Sequence, residues 1–423
     1  MITLAVFFGL LFAGLPIFGV ILAGAIVFLA TNDLAALYDS IPIQLYGALE
    51  INSLLAIPLF MLVGEIMNRA GLTQRLVAVA EVLVGGLKGG LAYANLVTNA
   101  MAASILGSAV AQIGVMSKVM IPEMERKGYD RAFSGAVTVS AGLLGPIIPP
   151  SMLMIIYGVV AVQPIAPLFI AGIVPGLLIV VALALVIFVI GVVRGLPSGV
   201  GRELGSKGRI LVGGLAPALI PLVVIVGIMA GVMTPTESGA VASIIALVLG
   251  FLYRELRLRD LGPIFLAVAL STATITGLIA AASVLSWALA FQGVPDRLVE
   301  FMSGLTTSPT AFLLLVIAVL LVLGMFLESI SVLIVVVPLL MPVVTGLGID
   351  PIHFGVVCTV ATVIGLVTPP VGPGLYIAMV AADIRMGPLF RATAPFLAAV
   401  LACLVLIAAV PALSTWLPKL TIG

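Results

Sequence analysis

The chain has 423 residues, of which 63% are hydrophobic and only 8% are charged. Soluble domains carry roughly 25% charged residues, so this composition predicts a polytopic protein embedded in a lipid bilayer. The formal net charge of +1 argues against a broad basic face for nucleic acid, and no nucleic-acid partner is expected.

The residue inventory also excludes several kinds of chemistry. Cys358 and Cys403 are isolated thiols and His353 is the only histidine, so we expect no disulfide framework and no transition-metal cluster. The chain lacks a GxxxxGK[ST] phosphate loop, which argues against ATP hydrolysis by that route. No cofactor is therefore expected.

Apolar segments of spanning length recur along the chain, since a helical span needs about 20 apolar residues. The plain candidates, in chain order, are 3–29, 45–67, 165–193, 211–232, 234–253, 263–290 and 388–417. The first is interpreted as a span rather than a cleaved signal, because no basic segment precedes it and no small-residue cleavage site follows. Four other apolar segments are overlong: 89–117, 132–163, 310–343 and 354–382.

The basic residues decide how the overlong segments cross. If 89–117 and 310–343 are re-entrant hairpins, 16 of the 18 Lys and Arg residues, Arg202 among them, fall on one side of the membrane. If both hairpins crossed fully, the split would be only 12 to 6. The positive-inside rule favours the hairpins. It predicts nine crossings, a cytoplasmic N-terminus and a C-terminus on the outer side.

An internal repeat relates the two halves. At a shift of 220 positions residues 121–151 align with 341–371, and backbone-shaping residues coincide: Asp130, Gly145, Pro149 and Pro150 with Asp350, Gly365, Pro369 and Pro370. Each copy holds four crossings and one hairpin, and one extra helix between them makes the copies inverted. Inverted repeats with broken helices are typical of secondary transporters, although other duplicated membrane proteins remain an alternative.

The fold class expected is therefore an all-α polytopic membrane protein with inverted repeats, each with a re-entrant hairpin and a proline-broken helix. The first repeat is placed at 1–210, with its hairpin at about 89–122 and its broken helix at about 130–163. A connecting transmembrane helix covers 211–232. The second repeat is placed at 233–423, with its hairpin at about 310–343 and its broken helix at about 352–382.

The double prolines predict the functional site. A proline removes a backbone donor and frees carbonyl oxygens from helical pairing, which at membrane depth is tolerated where the backbone is buried or lines a cavity. Such hard oxygens suit Na⁺, and half-helix N-termini favour an anionic substrate. Kinked helices with internally capped carbonyls are the alternative. The candidate residues are Gly107, Ser108, Gly145, Pro149 and Pro150 for a first Na⁺ site; Glu328, Ser329, Gly365, Thr368, Pro369 and Pro370 for a second; and Ser108, Ser151, Ser329 and Gly372 for substrate.

Each hairpin tip is expected to face the proline break of its own repeat. Three acids need separate treatment. Glu328 lies in an uncharged run and either couples transport to an ion or orders the hairpin tip by hydrogen bonding. Glu65 precedes Arg69 at i, i+4 spacing, which indicates a structural ion pair. Glu237 follows Thr234 by three residues, the spacing of a capping box.

At these motifs the chain resembles the large membrane subunit of tripartite ATP-independent periplasmic (TRAP) transporters, the DctM-like family. The resemblance rests on GLLGPIIPPSMLMIIYG (142–158), GVMTPTESGAVA (231–242), GMFLES (324–329) and GLVTPPVGPGLYI (365–377). It covers essentially the whole chain. One departure concerns the first hairpin, where Leu106 and Gln112 stand at positions that commonly hold a serine and an acid in the family.

The resemblance implies an elevator-type transporter in a bacterial inner membrane, in which a mobile domain carries Na⁺ and a small organic acid across a static scaffold. It also implies two partners, a small four-helix membrane subunit and a periplasmic substrate-binding protein. A stand-alone dicarboxylate carrier or cation/proton antiporter without a binding protein remains the alternative. An intramembrane enzyme is not expected, since the sequence offers no catalytic constellation.

Overall fold

The computed structural model describes residues 2–197 and 207–421, and the regular elements in those ranges are all helices. Arg202, counted above among the basic residues, lies outside the described part. The α-helices are α1 (Ile2–Phe12), α2 (Ile17–Thr31), α3 (Ile41–Gly47), α4 (Ala56–Arg69), α5 (Leu72–Val84), α6 (Gly90–Leu106), α7 (Ala109–Arg126), α8 (Arg131–Gly142), α9 (Met152–Val160), α10 (Ile165–Arg194), α11 (Lys207–Met229), α12 (Pro235–Leu252), α13 (Leu258–Phe291), α14 (Val294–Leu305), α15 (Pro309–Gly324), α16 (Ser329–Gly346), α17 (Pro351–Gly365), α18 (Pro373–Ala382), α19 (Met386–Ala409) and α20 (Ala412–Thr421).

The predicted all-α membrane fold is confirmed. Within the described ranges six helices are long and apolar enough to cross a membrane, or seven if one bent pair is counted as a span. Five of them, α10 to α13 and α19, coincide with predicted spans. The predicted span 45–67 is the bent pair, with an angle of 52° between 35–47 and 52–69.

The predicted single span 3–29 is wrong. The chain turns at Gly14, whose φ is +81°, and Pro16 then begins α2, so α1 packs back on α2. A Cβ atom on Gly24 would lie 3.5 Å from the ring of Phe7, as an antiparallel pair requires. Ile2 therefore lies at the end of the molecule where α2 finishes. The cytoplasmic N-terminus assumed one crossing here, and it no longer follows.

Helix bounds repeat along the chain at the shift of 220. In this register α7 coincides with α16. The other matching pairs are α8 with α17, α9 with α18, and α2 with α12. Packing repeats too: α7 lies against α18 as α16 lies against α9. Asp130 and Asp350 begin α8 and α17 by the same means, because each carboxylate accepts backbone N–H bonds of the first turn. The two acids are thus helix caps.

The helices form two packed groups. In one, α4 packs on α12, α2 on α13, and α11 on α12, whereas α5 packs on both α11 and the hairpin helix α6 and so joins the two groups. The other holds the hairpin and broken helices together with α10, α19 and α20. At its centre Tyr157 of α9 packs on Gly355 of α17, where a Cβ atom would collide with the ring, and its hydroxyl donates to the carbonyl of Pro351. The two repeats are therefore interlocked through the second group.

Candidate functional site

The two hairpin tips lie against the breaks of their own repeats, as predicted. Gly107 ends α6 with φ +60°, and a Cβ atom on it would lie 3.5 Å from the amide nitrogen of Met152. In the second repeat Gly372 donates its N–H to the carbonyl of Met325 at 3.3 Å. Each tip thus contacts the residue that begins the second half of the broken helix, or the residue just before it.

The first break, 143–151, leaves backbone oxygens free. Ser151 turns its hydroxyl back to the carbonyl of Pro146 and accepts the N–H of Met154 at 3.2 Å, so it caps α9. Within the described ranges no donor reaches the carbonyl oxygens of Gly145, Pro149 or Pro150. The Pro149–Pro150 bond is cis. Three hard oxygens are consequently available at this break.

The second break, 366–372, differs at its start, because the carbonyl of Gly365 is paired whereas that of Gly145 is not. Thr368 donates its hydroxyl to Ile364 at 2.8 Å and its N–H to Gly365 at 3.0 Å. Among the residues described, the carbonyls of Pro369 and Pro370 receive no donor, and their peptide bond is also cis. Because the Thr368 hydroxyl donates its only proton to the Ile364 carbonyl, its oxygen lone pairs remain available to a cation.

A small cavity of about 30 Å³ lies between the tips and joins the two repeats. Ser108 and Glu328 line it from register-equivalent positions, since each is the residue that precedes its returning helix, α7 or α16. Ser329 also lines it and is 3% exposed, and its hydroxyl oxygen has no hydrogen-bond partner in the described part of the chain. The positive ends of α7 and α16 therefore meet the unpaired side-chain oxygens of Glu328 and Ser329 here, whereas the Ser108 hydroxyl already accepts the N–H of Ala111 at 3.4 Å.

A larger cavity of about 400 Å³ adjoins it and separates the two helix groups. Ser108, Met152, Glu328 and Ile330 form the hairpin side, whereas α4 and α13 form the other. The lining follows α7 from Ser108 through Val115, in the direction of Arg126. The cavity thus extends from the tips toward the end of the molecule where α7 finishes.

Sequence reasoning missed the polar residues on the opposite wall. Asn68 of α4 and Ser271 and Thr274 of α13 line the larger cavity and face the tips. Their only signal was a polar side chain in an apolar helix. Conversely, the predicted substrate residues Ser151 and Gly372 are the last residues of the two breaks and line neither cavity, so the structure brings together only Ser108 and Ser329 of the four.

A buried polar chain holds the first hairpin together. Gln112 of α7 donates to both oxygens of Asn99 at 2.7 and 2.9 Å, Asn99 donates to Asn95, and Asn95 donates to Thr138 of α8 at 2.7 Å. The amide oxygen of Gln112 has no partner in the described residues, and a Cβ atom on Gly145 would lie 2.6 Å from it. The neutral amide thus acts as a donor across the hairpin.

The three acids singled out from the sequence have different surroundings. Glu65 pairs with Arg69 at 2.7 Å and Glu237 forms the capping box with Thr234, so both structural predictions are confirmed. Glu65 additionally lines the larger cavity. Glu328 is exposed in that cavity, and in the described ranges its carboxylate forms no hydrogen bond or ion pair. That geometry gives no support to a role in ordering the tip.

Comparison with known proteins identifies the family. The profile described as "Tripartite ATP-independent periplasmic transporter, DctM component" matches residues 4–413. The chain belongs to this family. It is 35% identical over 420 residues to the sialic acid TRAP transporter large permease protein SiaM of Vibrio cholerae, covering 98% of this chain and 97% of that one. It is 35% identical over 384 residues to the C4-dicarboxylate TRAP transporter large permease protein DctM of Pseudomonas aeruginosa, covering 90% of this chain and 89% of that one.

The fold has a solved counterpart. The YdaH transporter of Alcanivorax borkumensis matches with a TM-score of 0.65 over 89% of this chain and 88% of its own, at 14% identity. The likeness is therefore one of fold alone. The predicted TRAP resemblance is confirmed, and this chain is a multi-pass TRAP large permease subunit whose relatives are named as transporter permeases, not enzymes.

Proposed function

We propose that this TRAP large permease subunit imports a small organic acid with Na⁺ by an elevator mechanism in a bacterial inner membrane. The acid is delivered by a periplasmic binding protein, and a small four-helix membrane subunit braces the scaffold. The relatives named for sialic acid and C4-dicarboxylates support a carboxylate substrate.

One observation carries the proposal: two hairpin tips, each pressed on a proline break, meet at a cavity lined by unpaired oxygens. Na⁺ prefers hard oxygen ligands, and such ligands are present in both repeats. The first site would use Gly107, Ser108, Gly145, Pro149 and Pro150. The second would use Glu328, Ser329, Gly365, Thr368, Pro369 and Pro370, with the substrate held by Ser108 and Ser329 between them.

The division into two helix groups supports the elevator. The larger cavity lies between the groups and extends toward the ends of α7 and α4, which carry Arg126 and Arg69. If these basic ends are cytoplasmic, this is an inward-facing arrangement. The same orientation puts Ile2 and the C-terminal helix α20 on the periplasmic side.

The test is uptake of radiolabelled organic acids into proteoliposomes that hold this chain with its small partner subunit. Uptake should require both an inward Na⁺ gradient and the cognate binding protein. Equal uptake without the binding protein would instead establish a stand-alone carrier. Uptake driven by a proton gradient and indifferent to Na⁺ would overturn the two cation sites.

A further inference from the structure

A second cavity lies far from the hairpin tips, on the outer surface of the second helix group. It is a groove of about 460 Å³ between α10 and α19, lined by Ala182 to Ile190 on one side and Pro395 to Leu406 on the other. Every lining side chain is apolar apart from the thiol of Cys403. We name it the α10–α19 groove.

Each wall of the groove continues into an arginine. Arg194 follows Ile190 by four residues on α10, and Arg391 precedes Pro395 by four on α19, so each arginine lies about one helical turn beyond the last lining residue of its wall. Both arginines are exposed, and neither forms an ion pair with a residue that the structure describes. Two arginines without an ion-pair partner among the described residues therefore lie just beyond the two walls of the groove.

Both arginines lie at one end of the groove. α10 finishes at Arg194, and shortly afterwards the carbonyl of Pro197 accepts the hydroxyl of Tyr129 at 3.4 Å. The Tyr129 ring stacks on Phe133 at 6.4 Å, and Phe133 lies 6.2 Å from Phe396 of α19. This series of contacts places the end of α10 beside the start of α19, so the two helices are antiparallel.

The dimensions match one membrane leaflet. At 1.5 Å per residue the lining runs about 12 Å along α10 and about 17 Å along α19. Half of a bilayer's hydrocarbon core is about 15 Å thick. A ligand that fills the groove thus needs an apolar part about one leaflet deep and an anionic part at the arginine end.

We propose that the α10–α19 groove binds a phospholipid with an anionic headgroup, with an acyl chain between the helices and its phosphate held by Arg194 and Arg391. Guanidinium forks bind phosphate through paired, charge-assisted hydrogen bonds. The occupant follows from charge complementarity, because an apolar chain joined to a negative group satisfies both parts of the surface. The basic end assigns the lipid to the cytoplasmic leaflet, where anionic lipids attract such charges.

The test is native mass spectrometry of the full-length protein, titrated in detergent with phosphatidylglycerol or phosphatidylcholine. The double variant Arg194→Gln/Arg391→Gln should retain phosphatidylglycerol about tenfold less tightly, since it loses two charge-assisted contacts. Arg259→Gln is the matched control: this exposed arginine lies on α13, which lines neither wall of the groove, and its variant should bind like the wild type.

A second variant tests the apolar part. Ala399→Phe fills the groove and should reduce retention of both lipids, whatever the headgroup. Equal phosphatidylglycerol retention by the double variant and Arg259→Gln would overturn the proposal. Displacement of the lipid by the small membrane subunit, or by a second copy of this chain seated on the groove, would overturn it too. Retention is measured without transport, so failure of Na⁺ coupling does not affect this result.

Discussion

Gly324 and Gly365 bring two helix backbones into direct contact. A Cβ atom on Gly365 would lie 2.7 Å from the Cα of Gly324, and one on Gly324 would lie 2.9 Å from the Cα of Gly365. Gly324 ends α15 at the second hairpin tip, whereas Gly365 ends α17 at the second break. Two glycines thus set how closely this tip approaches its break, and backbone cannot move aside as a flexible side chain can.

Gly365→Ala should therefore lower the stability of the second repeat. Alanine suits a helix better than glycine, so any loss must come from the collision, and overpacking typically costs about 1–3 kcal/mol. The measurement is the thermal unfolding midpoint of the purified protein. Gly304→Ala in α14 is the control, because nothing lies within 4 Å of its added Cβ. An unchanged midpoint for Gly365→Ala would contradict the close approach.

Ser329→Ala should weaken Na⁺ dependence without weakening the fold. A buried hydroxyl without a hydrogen-bond partner contributes little to the free energy of unfolding, so its removal is expected to be neutral or stabilising. If the Ser329 oxygen binds the coupling ion, the Na⁺ concentration for half-maximal uptake should rise about tenfold. This is the change expected when one interaction with a charged group is lost. Ser117→Ala is the control, since this hydroxyl is also buried and unpaired in the described residues but lines neither cavity. Equal Na⁺ dependence in both variants would remove Ser329 from the site.

Glu328→Gln and Glu237→Ala should show opposite effects. Glu328 makes no hydrogen bond or ion pair within the described ranges, so its amide variant should unfold like the wild type yet lose Na⁺-driven uptake. Glu237 closes a capping box, and its alanine variant should lower the thermal unfolding midpoint while its Na⁺ dependence stays normal. Thermal unfolding and uptake, measured on both, separate the roles. A destabilised Glu328→Gln protein would instead indicate that this carboxylate orders the tip.

The tips and breaks were predictable because their residues have strong backbone preferences. Proline pairs and glycines occur in the same register in both repeats, and Asp130 and Asp350 begin the two broken helices at equivalent positions. Such residues act locally, through missing donors and helix capping, so their effect can be inferred without knowing what packs nearby.

The opposite wall of the larger cavity and the N-terminal turn were not predictable, because local residue preferences do not determine either of them. Asn68, Ser271 and Thr274 line the larger cavity only because α4 and α13 pack across from the tips, and helical spacing alone does not indicate that partner. Between α1 and α2 hydropathy is continuous, and a proline there is compatible with a kink or with a reversal. The left-handed φ of Gly14 distinguishes the two, and it is visible only in the structure.

Gln112 offers the sharpest test of the first hairpin. Its amide donates to both oxygens of Asn99, and both residues are 0% exposed. Gln112→Leu leaves the side-chain oxygen of Asn99 buried without a donor, which costs about 1–3 kcal/mol, whereas the Asn99 carbonyl keeps its bond within α6. Gln112→Glu should cost more, since an ionised carboxylate cannot donate and would face the same two oxygens. Thermal unfolding should therefore rank wild type above leucine and leucine above glutamate, with exposed Gln74→Leu as the unchanged control. A glutamate variant as stable as the wild type would mean that the donor role belongs to another group and that this hairpin tolerates an acid at position 112.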